Sequence, residues 1–281
     1  LKKGPYPGKK PAISPEQKTR LKEIIKGGPE KYGLDTGVWT APVVSLVIEK
    51  EFGISYGCSQ IRRILHSLNF TMQYPKQVLS KADKKLQGEW LRKTFPKIKK
   101  KAKKQSGIII FEDEVTFQVS GTIIRTWAEK GVGTEVPSFP GKKSIKVYGA
   151  VGYDPEKDLY TWHFRFDQVF NGSTWLCFLR QLLQNFPSKK IFLIADNAGY
   201  HKGKKTGKWL LDKKDRIEIH FLPPYSPKFN ATEHVWRETK KRATHNRYFE
   251  TPRALRNAVF RCFHKYKRNP APLCTLVASF F

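Results

Sequence analysis

Acidic residues are scarce in this chain. Its 281 residues hold 24 Asp and Glu against 53 Lys and Arg, a formal charge of +29. Solubility alone asks for a magnitude of only ~2–8 in a small domain. So large an excess implies a polyanionic partner, and nucleic acid is the commonest one. Cysteine is sparse as well. Cys58, Cys177, Cys262 and Cys274 are scattered, with no C-x-x-C pair. That argues against a disulfide framework or a cysteine zinc site, and for a reducing, cytoplasmic setting. No run approaches 18 apolar residues, so no transmembrane helix and no membrane partner are expected. The lysine-rich N-terminus lacks the apolar stretch of a signal peptide. Common enzyme signatures are also missing. There is no H-E-x-x-H and no G-x-S-x-G elbow. "GKKTGK" at 203–208 fails as a phosphate loop. Lys202 stands where its first Gly belongs, and Trp209 where Ser or Thr is needed.

What is present fits a folded chain. Hydrophobic residues make up 39% and aromatics 13%, and the length suits one large domain or two modest ones. Charge is uneven: residues 1–104 carry 24 basic and 8 acidic residues, so the front third is the denser cationic surface. Residues 1–12, "LKKGPYPGKKPA", have little to bury and read as a basic arm or linker that includes Lys9 and Lys10. Ser14-Pro15-Glu16 then gives an N-cap and a Pro at N1, predicting a helix to about Lys26. Thr40 caps a second helix near 41–52, which stops at Phe52-Gly53. Ser55 is placed to cap a third, with Cys58, Ile61, Leu65 and Leu68 on one face. Its other face shows Ser59, Gln60, Arg62, Arg63 and His66. Helix, helix, "FGIS" turn and basic helix read as a helix-turn-helix over 13–78, with Phe70 to Gln77 as a small wing. An ordinary three-helix unit with a solvated basic face is the alternative. Residues 79–105 form a lysine-heavy interdomain helix ending in "KIKKKAKK". There Lys99 and Lys100 either follow phosphates or merely face solvent.

After Gln105 the pattern changes. "GIIIFED", "SIKVYGAVGY", "LYTWHFRF", "KIFLIADN" and "IEIHFL" read as strands, with helices at 173–186, near 202–213 and from Asn230 to His245. This order predicts an α/β layer with a mixed sheet over 106–250 and a C-terminal helical extension over 251–281. Three acids are aimed at one place. Asp113 ends the first strand, Asp196 ends "IFLIA", and Glu233 opens the last helix after the proline-bounded stretch "FLPPYSPKFNATEHVW". An acid closing an apolar strand is costly unless hydrated, paired or bound to a cation. Such a set suits hard cations such as Mg²⁺. Bland readings remain for each. Asp196-Asn197 can cap the next helix. Glu233 can pair with Asn230 in a variant capping box. Glu112 or Glu114 can replace Asp113 within "EDE".

Five segments carry a resemblance: "FEDEVTF" (111–117), "RTWAEKG" (125–131), "VYGAVGYD" (147–154), "IADNAGYH" (194–201) and "LPPYSPKFNATEHVWRETK" (222–240). With "VWTAPVVSLVIEKEFGISYGCSQIRRIL" at the front, the chain resembles the bacterial insertion-sequence branch of the mariner-type DDE transposases over nearly its whole length. The resemblance implies a ribonuclease-H-like α/β catalytic domain, a mixed sheet flanked by helices. It also implies an N-terminal all-α, winged-helix-like helix-turn-helix domain. It makes Asp113, Asp196 and Glu233 the catalytic metal ligands, with 82 and 36 residues between them, and settles "EDE" in favour of Asp113. It implies supporting roles for Asn197, His201 and Asn230. It implies two Mg²⁺ ions, replaceable by Mn²⁺. Its partners are double-stranded DNA, as terminal inverted repeats and a TA target, and a second copy of the chain. A nuclease of the same fold without strand transfer, or an inactive DNA-binding derivative, are the other outcomes. Two departures stand out. The family usually has N-P-I-E where this chain has Asn230-Ala231-Thr232-Glu233. It also generally carries a further helix-turn-helix upstream, joined by a basic Gly/Pro linker that Leu1 to Pro11 resembles.

Overall fold

The computed structural model describes residues 13–73, 83–129, 133–138, 140–141 and 143–281. The chain divides after Gln77 into two units. In the first, α1 (Pro15–Gly27), α2 (Ala41–Phe52) and α3 (Cys58–Ser67) enclose Ile13, Leu21, Val44, Ile48, Ile61, Ile64 and Leu68. Ser14 and Gln17 cap α1 reciprocally, satisfying two amides that a helix start leaves unpaired. Thr40 caps α2 through the Val43 amide, and Gly53 ends it at φ 68°, a conformation glycine adopts without strain. The expected Ser55 cap is not used. Helix α3 starts after Gly57, which offers no side chain, so the register of its first turn is set by burial of Ile61 and Ile64. Of the expected wing, Phe70–Gln73 has no regular structure and the remainder lies outside the described residues.

The second unit is built on a five-stranded sheet, order β3-β2-β1-β4-β5. Its strands are β1 (Ile108–Gln118), β2 (Ser144–Asp154), β3 (Leu159–Asp167), β4 (Ile191–Ala195) and β5 (Ile217–Phe221). The first three form an antiparallel meander, and β4 and β5 add parallel to β1. Helices cover both faces. Ile108 and Ile110 of β1 face α6 (Gly172–Asn185) and α7 (Lys204–Asp212). Ile109, Phe111, Val115 and Phe117 face α5 (Phe95–Lys104), α8 (Thr232–Thr239), α9 (Pro252–Arg268) and α10 (Ala271–Val277). β1 is therefore apolar at successive positions, because both its faces are buried. The lysine-rich segment expected as an interdomain helix is α4 (Lys84–Glu89), a π-turn and α5. It buries Trp90, Phe95, Ile98 and Ala102 in the sheet's core cluster while its lysines other than Lys99 are exposed. The C-terminal helices do the same through Leu255, Val259, Phe263 and Leu273. Among the described residues no helix is long and apolar enough to cross a membrane.

Asp113 does not end its strand. β1 runs five residues further because β2 stays paired along its other edge, to Gln118↔Ser144. The parallel partner β4 does stop, its last pairs being Phe111↔Ile194 on β1 and Ala195↔Phe221 on β5. Asp113 thus lies two residues beyond the end of β4 pairing. Across from it on β2 is Gly149. A Cβ there would meet Trp236 Cη2 at 2.1 Å and Trp162 Cη2 at 2.7 Å. The missing side chain is what lets the α8 indole lie against the strand. Gly149→Ala should therefore cost about 1–3 kcal/mol by overpacking. Denaturant unfolding checks this, and a change within ~0.5 kcal/mol, the usual range for a neutral surface site, would refute it.

Candidate active site

The connections from β1 and β4 run in opposite directions across the sheet, the place where open α/β sheets collect ligands. Continuing the β1–β4 register by two residues brings Asp113 level with Asp196. Glu233 arrives from the first turn of α8. The three carboxylates line one cleft of about 440 Å³, whose far wall is the loop Leu222–Pro227. The three predicted residues are therefore together, despite 82 and 36 intervening residues.

Each is held by different means. Asp113 Oδ2 accepts from Trp236 Nε1 at 3.1 Å. Asp196 Oδ1 accepts from the Ala198 amide at 2.8 Å and faces His201 Nδ1 at 3.2 Å. Glu233 is placed through its helix. Asn230 Nδ2 donates to Glu112 O at 2.9 Å, and Thr232 Oγ1 donates to Phe111 O at 3.0 Å, so the start of α8 is tied to β1 at the last β4 pair and the residue after it. The N-x-x-E capping box does not form. Asn230 Oδ1 receives the Thr232 amide at 3.2 Å, while its amide group reaches the strand. Asn197 in turn bonds Leu222 O and Lys202, bracing the loop.

Crowding shows in the acidities. Burial, and then the charges of Glu233, Glu114 and Asp196, hold the Asp113 carboxyl well above its usual range. Partial burial raises Glu233. Asp196 is lowered, first by its bond to His201. Three oxygen-donor side chains in one cleft, two of them unwilling to ionise unaided, form a donor set that fits hard divalent cations such as Mg²⁺ or Mn²⁺.

A second cluster was missed in the sequence. Among the described residues, the group of three whose ligand atoms lie within 4.8 Å of one another is Glu112, Glu114 and His201. It is on the opposite face of β1 from Asp113, because side chains alternate along a strand. His201 is buried against Trp175, rings 4.2 Å apart. Its Nε2 contacts Glu114 Oε1 at 3.1 Å, so both ring nitrogens face carboxylates. Burial alone would lower the His201 pKa, but the bonds to Asp196 and Glu114 outweigh it and raise it to about 10. His201 is thus a link between the cleft and the back of the sheet, each ring nitrogen facing a carboxylate. Tyr200 also donates to Glu114. Glu112 is fully buried with neither oxygen hydrogen-bonded, and burial raises its pKa strongly. The Trp175 indole N–H offsets part of this, although it forms no hydrogen bond of full geometry.

The predicted DNA-contacting residues belong to other elements. Ser59, Gln60, Arg62 and Arg63 are exposed on α3. Lys100 is exposed on α5, while Lys99 lies 4.8 Å from the Phe95 ring centroid. Lys9 and Lys10 lie outside the described residues.

The family model described as "DDE superfamily endonuclease" matches residues 108–256, more than half of the chain. The chain belongs to the DDE superfamily of endonucleases. A second family model, "Winged helix-turn helix", matches residues 35–94 of this DDE endonuclease. A curated relative, the "Insertion element IS630 uncharacterized 39 kDa protein" of Shigella sonnei, is 23% identical over 231 residues. The match covers 81% of this chain and 64% of that protein, so the chain spans under two thirds of its relative's length. Among solved structures, the "Mos1 transposase paired-end complex with left transposon end" matches with TM-score 0.62 at 14% identity, covering 99% of this chain and 82% of that one. The "Mos1 Strand Transfer Complex" gives 0.62 at 13%, covering 99% and 81%. The expected fold, ribonuclease-H-like behind an N-terminal helix-turn-helix, and the resemblance to mariner-type DDE transposases are both borne out.

The raised acidity constant of Asp113 has a pH consequence. A proton held more tightly in the folded state stabilises it fully below the unfolded pKa, near 3.8, and that contribution is lost as pH rises. Ionising the cleft as pH rises is therefore costly unless a cation is bound. In chelator at pH 8, Asp113→Asn should raise the melting temperature, with the difference shrinking towards pH 4. Mg²⁺ should raise the wild-type melting temperature more at pH 8 than at pH 5.5, and leave the variant nearly unmoved. Equal Mg²⁺ shifts in both proteins would place the cation elsewhere.

Proposed function

We propose that this chain is a DNA transposase that binds the ends of its own element and cuts and rejoins them at Asp113, Asp196 and Glu233. The observation that carries the reading is the cleft itself: three carboxylates from β1, the end of β4 and the start of α8 line one cavity. The relatives' names support it. One belongs to an insertion element, and the Mos1 structures include transposon-end complexes with Mn and with Mg. The formal charge of +29 supports a DNA partner.

In this reading the three carboxylates hold two Mg²⁺ ions, with Mn²⁺ as substitute. Such ions, when bound, activate the attacking oxygen and stabilise the leaving one. The chain's own residues set the geometry. Trp236, lying over Gly149, fixes the Asp113 rotamer. His201 turns Asp196. Asn230 and Thr232 hold α8 at its height on β1. Exposed lysines of α5 keep the strands in register through phosphate contacts. Water cleaves the element's end, and the freed 3′-hydroxyl attacks a TA target in line. Because two ends must be joined, the working form is a homodimer on DNA. Residues 13–78 supply end recognition through α3.

Two experiments test this. On duplexes carrying the element's terminal repeats, Asp196→Asn should reduce Mg²⁺-dependent cleavage by more than ~100-fold, since even outer partners of a metal ligand typically cost ~10–100-fold. Glu114→Gln, which touches Asp196 only through His201 and Asp113 only through its charge, should cost less than ~10-fold. Normal cutting by Asp196→Asn would sink the assignment, and cleavage without strand-transfer product would make the chain a nuclease. Replacing Arg62 and Arg63 with Ala should weaken binding to the ends more than to random DNA, by about 1–3 kcal/mol per lost base contact. Equal losses on both would mean that these arginines touch only phosphate.

A further inference from the structure

The cleft wall holds one residue that neither packing nor backbone geometry accounts for. Among the described residues, five other than glycine have φ between 47° and 62°: Asn69, Ser106, Asp158, Tyr225 and Asn246. Asn, Asp and, more weakly, Ser offset that conformation with short polar side chains. Tyr225, at φ 55°, has no such means, and a bulky side chain there is strained. The surroundings enforce the strain. The Leu222 amide donates to Ala195 O, and Asn197 bonds Leu222 O. Buried Ser226 donates to Pro224 O and receives Gln87 from α4. With prolines at 223, 224 and 227 as well, the loop has few other conformations.

Among the described residues no polar or ring contact engages the Tyr225 side chain. It is 50% exposed. Its ring meets no other ring, and its hydroxyl has no hydrogen-bond partner, among the described residues. It nevertheless lines the same cavity as Asp113, Asp196 and Glu233. Glycine would meet the backbone requirement without strain. The aromatic group therefore serves something that enters the cleft.

The chemistry of that position narrows the occupant. Beside three carboxylates, the uncharged ring face offers no attraction to a phosphate, which only the hydroxyl at its edge can contact. It offers a flat apolar face, which suits another flat group. Resting on the proposed DNA-cleaving function, we infer that Tyr225 is a stacking platform for a nucleobase next to the scissile phosphate. A base within a duplex already has both faces covered. The base that reaches Tyr225 is thus one displaced from the stack, and the ring offsets part of the unstacking. Since every base has a π-face, this contact distorts the duplex at the cut without reading its sequence.

The test uses the full chain and duplexes spanning the ends of the element that encodes it. One set is fully paired; a second carries mismatches at the two base pairs flanking the cut. On paired DNA, Tyr225→Ala should slow Mg²⁺-dependent cleavage by roughly 5- to 150-fold, the range of one lost base–aromatic stack. Tyr225→Phe and Tyr225→Trp should recover most of that loss. The mismatched duplex should narrow the gap between Tyr225→Ala and wild type, since it needs less unstacking. Tyr225→Gly should cut as poorly as Tyr225→Ala yet melt above it, because the left-handed backbone is then relaxed; this variant keeps the test open if Tyr225→Ala folds poorly. If wild type cuts these ends and Tyr225→Ala cuts paired DNA equally fast, the stacking inference fails while the function stands. If Tyr225→Phe is as slow as Tyr225→Ala, the hydroxyl is the working group and stacking is again overturned. If wild type cuts neither duplex with Mg²⁺ or Mn²⁺, the fault lies with the functional reading itself.

Discussion

Three carboxylates facing one cavity repel one another, and much of the second unit resists that repulsion. The resistance is mechanical as well as electrostatic. Asp113 sits in the middle of the central strand, where a shift would break register with β2. Glu233 cannot retreat, because Asn230 and Thr232 fasten its helix to the carbonyls of Glu112 and Phe111. Asp196 is turned by the Ala198 amide and His201. Rigid first contacts are what a cation site with demanding geometry needs, since each ligand must be in place before the ion arrives.

β1 divides the charge between its two faces. The triplet Glu112-Asp113-Glu114 would be intolerable on one side of a sheet. Period-two alternation sends Asp113 to the α8 face and its neighbours to the α6 face. On that second face the protein places His201, and leaves Glu112 beside Trp175. The cleft therefore communicates with the back of the sheet through one imidazole, bonded to Asp196 on one nitrogen and Glu114 on the other. Loss of Glu114 is felt at Asp196 only at second hand.

The parts legible in the sequence were those set by local pattern. The caps at Ser14 and Thr40, the strand "IFLIA" and the helix after the proline loop follow from propensity and spacing. The triad was legible as an ordered set of motifs. What escaped were features created by pairing. Asp113 lies within β1 because β2 outlasts β4, and only the ladder shows that. The lysines of "KIKKKAKK" hid the apolar stripe of Trp90, Phe95, Ile98 and Ala102, which fixes that helix to the sheet. The back-face cluster was the nearest miss: alternation alone assigns Glu112 and Glu114 to one side, and only His201 had to come from the fold.

The departure at Ala231-Thr232 shows how the constraint survives a change of residue. A proline there would fix φ near −65°. Ala231 has φ −58° and ψ −29°, so the backbone takes the same turn without a ring. Asn230, at φ −91° and ψ 112°, is in the extended region that a residue before proline would occupy. What the ring would supply by restricting the unfolded chain, Thr232 supplies in the folded one. Its hydroxyl bonds Phe111 O, which an aliphatic side chain cannot do. A neutral hydrogen bond and a proline restriction are of similar size, each about 1 kcal/mol or less. The height of α8 on β1, and with it the reach of Glu233 towards Asp113, is thus kept by a different interaction of comparable strength.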